Sequence, residues 1–227
     1  MAGDGRRGTF ITFEGGEGSG KSTVAEHAAA RLREQGHDVL LTREPEGTDL
    51  GRHIWDFFRE LAAAGKTMTA EAELFLFAAA RAEHARTVVR PALESGQLVL
   101  CDRFADSTTA YQGYGRGVDP STVEAANLAA SAGLSPDLTL VLDVSAAEGL
   151  RRARSLEAED AKKPDSIGSE SLAFHERVRE GFLAIARAQR QRVTVVDASG
   201  PLEDVEAAAM EAIERLLAGR VRRIRRN

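Results

Sequence analysis

TFITFEGGEGSGKS, residues 9–22, decides the fold. Its first half is almost continuously apolar and β-rich, as a strand buried on both faces should be. Its second half, Gly15 to Ser22, reads GGEGSGKS and satisfies G-x-x-x-x-G-K-[ST], with a helical pattern from Lys21 onward. Strand, glycine loop and helix form the context in which that motif carries meaning. Gly15, Gly16, Gly18 and Gly20, with Glu17 and Ser19 between them, make a loop whose backbone amides can turn inward toward phosphate oxygens. The helix that follows adds a favourable dipole. Lys21 is expected to reach the β- and γ-phosphates of a bound nucleoside triphosphate, and Ser22 to ligate Mg²⁺.

Outward from this segment, short apolar runs alternate with longer helical patterns. The runs are Thr9 to Phe13, Val39 to Thr42, Leu98 to Cys101, Leu138 to Asp143 and Val193 to Val196; the helices are Lys21 to Gln35, Thr69 to Leu93, Ser121 to Ala132, Ser169 to Arg190 and Leu202 to Leu217. Thr69 and Ser121 stand where N-caps are wanted, and Gly96, Gly133 and Gly219 follow helical ends. Such alternation predicts an α/β fold: five parallel strands covered by helices on both faces. With 227 residues, 43% hydrophobic and 29% charged, the chain suits a single domain spanning 1–227. Residues 155–170, SLEAEDAKKPDSIGSE, are polar and aperiodic, which fits either a surface loop or a short mobile lid that excludes water.

Composition narrows the function classes. One Cys and no run near the roughly 18 apolar residues of a membrane span argue against secretion and membrane insertion, so a soluble cytoplasmic protein is expected. A formal net charge of −5 argues against a general nucleic-acid surface. Arginine outnumbers lysine 26 to 4, through codon bias or for planar phosphate recognition, and composition cannot separate the two. The basic tail, 220–227, is expected to follow the last helix as a solvated segment. Neither Asn127 nor Asn227 begins the Asn-Lys-x-Asp motif with which GTPases usually read guanine, so a switch GTPase is not expected.

Other strand ends carry matching chemistry. Strand 3 ends in LVLCDRF, which puts Asp102 and Arg103 beside the phosphate loop if strands 1 and 3 are neighbours. Asp102 can support the metal or its waters, and Arg103 can grip a phosphate with its planar fork. Strand 2 ends in TREPEGT, bringing Arg43 and Glu44 to the same edge. Two arginines at adjacent strand ends suit a second phosphate. Phe77 and Arg81 are four apart on one helical face, able either to hold a flat base or, for Phe77, to pack in the core. Tyr111 and Gln112 lie in what reads as a glycine-rich loop, with Gly113, Gly115 and Gly117.

GGEGSGKS, TREPEGT, LFAAARAEH, DRFADSTTAYQGYGRG and PDLTLVLDV, in this order, resemble the motifs of bacterial thymidylate kinases. The resemblance runs nearly the full length. It implies the P-loop nucleoside monophosphate kinase fold with a short lid, a homodimer, and transfer of the ATP γ-phosphoryl group to dTMP with Mg²⁺ as cofactor. It also implies roles at matching positions. Phe77 would stack on thymine, Arg81 would hydrogen-bond the base, and Thr108 and Gln112 would read its other edge. Tyr111 would pack against the deoxyribose and disfavour a 2′-hydroxyl. Arg43 and Arg103 would hold the acceptor phosphate, with Glu44 beside them; Glu17 would take the family's acidic loop position, and Ser22 and Asp102 the metal. Lys21, Arg103, Glu17 and Arg43 form the expected catalytic set.

Four positions depart from that pattern. Glu46 stands where the family usually has Gly, Trp55 where it has Arg, and Ser166 and Gly168 where the lid has Arg and Glu. Arg52, one turn before Trp55, could replace its missing cation, and Arg151, Arg152 and Arg154, or Lys162 and Lys163, could replace that of the lid. Three expectations follow: a thymidylate kinase with a compensated lid, a kinase for another pyrimidine deoxynucleotide, or a weakly catalytic nucleotide-binding paralogue.

Overall fold

The computed structural model describes residues 7–160 and 170–224. Five parallel strands, β1 (Thr9–Glu14), β2 (Val39–Arg43), β3 (Leu98–Asp102), β4 (Leu138–Asp143) and β5 (Val193–Asp197), form one sheet in the order β2-β3-β1-β4-β5. Strands 1 and 3 are thus neighbours, as the site required. The central strands are buried along nearly their whole length, whereas β2 and β5, at the edges, keep half-exposed positions because each lacks a partner on one side. The near-continuous apolar runs predict burial on both faces for all five, and the two edge strands depart from it.

Helices α1 (Lys21–Glu34), α2 (Asp49–Ala63), α3 (Ala70–His84), α4 (Arg90–Glu94), α5 (Ala105–Thr108), α6 (Pro120–Ala130), α7 (Ala146–Asp160), α8 (Leu172–Ala188) and α9 (Leu202–Ile224) cover the sheet. On one face Ile11, Phe13, Leu100 and Leu140 pack against Val24, Ala28 and Leu32 of α1 and Ala209 and Ile213 of α9. On the other, Phe10, Val99 and Cys101 meet Val89 and Leu93, and Val141 meets Val178 and Phe182 of α8. Burying side chains of this size contributes roughly 1.5–3 kcal/mol each.

Several local expectations are corrected. The pattern from Thr69 to Leu93 is helical throughout, and Thr69 does cap it by accepting from the Ala72 amide, but residues Ala85–Val89 widen into a π-helical stretch before α4. Tyr111 and Gln112 lie not in a loop but in a second π-helical stretch, Thr109–Gly115. Gly115 permits this, since a Cβ there would sit 2.7 Å from the Phe174 ring of α8. The N-cap of α6 is Asp119, not Ser121: its carboxylate accepts from the amides of Ser121 and Thr122, with Pro120 opening the helix. Gly219 lies inside α9, and Arg220 belongs to the same helix, where its guanidinium reaches the Gly8 carbonyl and Asp137; residues 225–227 of the tail lie outside the described residues. Residues 155–160 of the expected lid are the end of α7, while 161–169, with Lys162, Lys163, Ser166 and Gly168, lie outside the described residues.

Candidate active site

Parallel pairing brings the strand ends to one edge. Phe13 is level with Asp102, and Asp102 with Arg43, so the exits of β1, β2 and β3 sit side by side. The chain reverses its strand order around β1, and ligands in open α/β sheets bind at such a reversal. The phosphate loop turns there. Gly15, Gly18 and Gly20 have φ of 145°, 63° and 84°, and Gly18 meets helix α7 backbone to backbone: a Cβ on it would lie 2.0 Å from the Gly149 carbonyl oxygen. Only glycine lets the two pieces of backbone approach so closely.

Lys21 donates to the Gly16 carbonyl at 3.0 Å and is buried, which together with Arg103 lowers its pKa against the opposing pull of Glu17 and Asp102. Ser22 donates to Asp102 Oδ2 at 2.5 Å. Asp102 Oδ1 is buried without a partner among the described residues. A hydroxyl and a carboxylate of this kind are hard oxygen donors, suited to a cation that keeps most of its waters. No cluster of three or more His, Cys, Asp or Glu able to hold a metal occurs among the described residues, so a cation here would depend on phosphate oxygens and water as well.

A cavity opens from the loop toward α2 and α3. Its wall includes all twelve of the expected Glu17, Lys21, Ser22, Arg43, Glu44, Phe77, Arg81, Asp102, Arg103, Thr108, Tyr111 and Gln112, together with Pro45, Glu46, Trp55 and Ser107. Near the phosphate loop, Arg103 donates to Glu17 at 2.8 Å, to the Tyr111 hydroxyl at 3.1 Å and to Ser107 Oγ at 3.1 Å, and its guanidinium lies 4.9 Å over the Tyr111 ring. Tyr111 in turn donates to Glu17 at 2.9 Å. Burial opposes ionisation of Glu17, but Arg103, Lys21 and the Tyr111 hydroxyl outweigh it and hold its pKa at about 2. Arg43 is half-exposed, with Glu26 at 3.4 Å as its ion-pair partner, which leaves its fork available to a ligand.

Deeper in, Phe77 both packs in the core and reaches the cavity. One face stacks on Phe58, with centroids 4.7 Å apart at 12°, and the residue also lines the cavity. Arg81 is buried, and its five N–H groups can be counted: Nε donates to Glu44 at 2.8 Å, Nη1 to Thr108 and Asn127 at 2.8 and 2.9 Å, and Nη2 to the Phe104 carbonyl at 3.0 Å. One Nη2 hydrogen remains. Thr108 spends its oxygen accepting from Arg81 and keeps its O–H to donate. Glu44 faces inward, holding Arg81 and, at 3.1 Å, His84, so it braces Arg81 at the cavity wall.

Among the proposed replacements for missing cations, four lie within the described residues. Arg52 is exposed and engaged by Asp49 and the Glu46 carbonyl. Arg151 and Arg152 both grip Glu148, and Arg152 also donates to the carbonyls of Ala198 and Ser199; Arg154 is exposed. None of the four lines the cavity. Sequence reasoning also missed the acidic residues behind the wall. Glu14 is wholly buried, accepts from the Phe104 amide and from Ser107, and has its pKa raised to about 8 by burial and by Asp106. A carboxylate closing an apolar strand was the available signal. Glu73 shares a face of α3 with Phe77 and Arg81 at successive spacings of four, which was likewise readable.

A phosphate loop at the switch point of a parallel sheet, opening on a cavity lined by arginines and an aromatic ring, defines a P-loop nucleotide kinase fold. A thymidylate kinase family model matches residues 13–209. Over 215 residues the chain is 49% identical to the thymidylate kinase of Desulfovibrio desulfuricans, covering 94% of this chain and 98% of the relative. It is 46% identical over 214 residues to that of Methylococcus capsulatus, covering 94% and 99%. The crystal structure of thymidylate kinase from Ehrlichia chaffeensis matches with a TM-score of 0.71 at 33% identity, over 92% of this chain and 99% of that one. The chain belongs to the thymidylate kinase family.

Proposed function

We infer that the chain transfers the γ-phosphoryl group of ATP to dTMP, giving dTDP. The observation that carries the choice of acceptor is the set of unspent hydrogen-bonding groups beside Phe77. Arg81 has one N–H left and Thr108 one O–H, while Gln112, whose Nε2 donates to Glu73 at 2.7 Å, presents Oε1 to the cavity. Two donors and an acceptor are the set that complements the O2, N3–H and O4 edge of thymine or uracil, whereas cytosine would need an acceptor for its amino group and a donor for N3.

Catalysis in this reading is positioning and charge neutralisation. Lys21 and the loop amides hold the donor phosphates. Arg103 and Arg43 hold the acceptor phosphate, which is already nucleophilic and needs no strong base. Ser22 and Asp102 would hold Mg²⁺, whose chemistry when bound is neutralisation of charge across the β- and γ-phosphates. Glu17, ionised throughout the neutral range, fixes Arg103 and Tyr111, and the Tyr111 ring would disfavour a 2′-hydroxyl. Exposed Phe75 and Leu128, on the packed helices α3 and α6, support a homodimer, and a cytoplasmic setting belongs to the same proposal.

An ATP-coupled assay across dTMP, dUMP and dCMP tests the reading. The expected result is the highest kcat/KM for dTMP; a higher value for dCMP, or no turnover despite ATP binding, would refute it.

A further inference from the structure

An amide can read a base in two opposite senses, and nothing in Gln112 itself chooses between them. The choice is made one layer out. Glu73 is 5% exposed and lies behind the cavity wall. Every polar contact recorded for its carboxylate is an incoming donor: Gln112 Nε2 at 2.7 Å on Oε1, Arg116 Nε at 3.2 Å from each oxygen, and Arg116 Nη2 at 3.0 Å on Oε2. Arg116 is itself held by Glu170 and lies 4.7 Å over the Phe174 ring. A carboxylate paired with a guanidinium only accepts. It therefore takes the NH₂ end of Gln112 and leaves the oxygen toward the cavity; the reverse orientation would set two acceptors against each other in a buried site.

We propose that Glu73 is a positioning residue that fixes the Gln112 amide as an acceptor and so sets the preference for a base bearing N3–H over one whose N3 is an acceptor. The proposal rests on the acceptor pocket described above. It makes Glu73 a specificity determinant that need not touch the nucleotide.

The test is the ratio of kcat/KM for dTMP to that for dCMP in wild type, Glu73→Gln, Gln112→Ala and the double variant. Glu73→Gln is isosteric and leaves Arg116 its Glu170 partner, yet its own amide can turn either end to Gln112. One mis-set buried hydrogen bond should lower the ratio by about 5- to 10-fold, with the KM for ATP unchanged. In the Gln112→Ala background the same substitution should lower it no further. A purely structural role for Glu73 would reduce both substrates in parallel. An unchanged ratio in Glu73→Gln, or an equal fall in the double variant, overturns the proposal. Glu73→Met, which keeps the length and removes all acceptors, provides the same reading should Glu73→Gln fail to fold. A wild type that favours dCMP would instead refute the acceptor assignment itself.

Discussion

Gly149→Ala should destabilise the protein and weaken ATP binding, against the ordinary rule for its setting. Gly149 lies within α7, where replacing glycine by alanine normally stabilises by about 0.5–1 kcal/mol. Here, however, an added Cβ would lie 2.3 Å from the Glu17 carbonyl oxygen. Even a tight contact of about 3.0 Å requires the loop or helix to retreat by at least 0.7 Å, the difference 3.0 − 2.3. The opposing atoms are backbone, so no rotamer change relieves the clash. Overpacking of this kind typically costs about 1–3 kcal/mol, which exceeds the helical gain. If the phosphate loop yields, ATP affinity drops by about 5- to 150-fold; if the helix yields, the loss appears as a lower Tm. Calorimetric titration with ATP and thermal melting of the same preparation distinguish the two. A higher Tm with unchanged ATP affinity would refute the reasoning, because it would mean that helix propensity outweighs the contact.

Two other perturbations probe the acidic layer and the acceptor mouth. Glu14 ionises near 4.5 when unfolded and near 8 when folded, so between those values the folded state keeps a proton that the unfolded state has released, and rising pH draws the equilibrium toward unfolding. Glu14→Gln, which can still accept from the Phe104 amide and can donate to Ser107, should therefore gain Tm over wild type progressively from pH 5 to pH 8.5; a pH-independent difference would count against it. Trp55→Arg places a guanidinium on the wall of the cavity that Arg43 also lines, and is expected to lower the KM for dTMP about 3- to 10-fold with kcat little changed. An unchanged KM would place the acceptor phosphate away from that wall.

The sheet was legible because β1, β3 and β4 are buried on both faces and leave an uninterrupted apolar signature, while the phosphate loop carries a motif whose context, strand then helix, could be checked along the chain. Helix α7 was not legible: AAEGLRRARSLEAED has little apolar periodicity and a glycine within it, and its position depends on the close fit of Gly149 against the loop. The π-helical stretch Thr109–Gly115 was hidden for a related reason, since its glycines read as loop residues until α8 packs against Gly115. Within the site, cavity-lining residues could be proposed from strand ends and helical spacing, but their partners could not. Glu14 meets Ser107 across 93 positions and Glu73 meets Gln112 across 39, so the acidic layer exists only once the chain has closed.

Arg103 adopts φ of 70°, the left-handed region that an arginine enters at a cost of about 1–2 kcal/mol. Glycine would occupy the same conformation without that cost, while removing the guanidinium that joins Glu17, Ser107 and Tyr111. The contacts outweigh the strain, because a glycine would leave the Glu17 carboxylate without the guanidinium that keeps it ionised. Random mutagenesis scored only by heat resistance would therefore keep the arginine at this position, and would find its stabilising changes elsewhere.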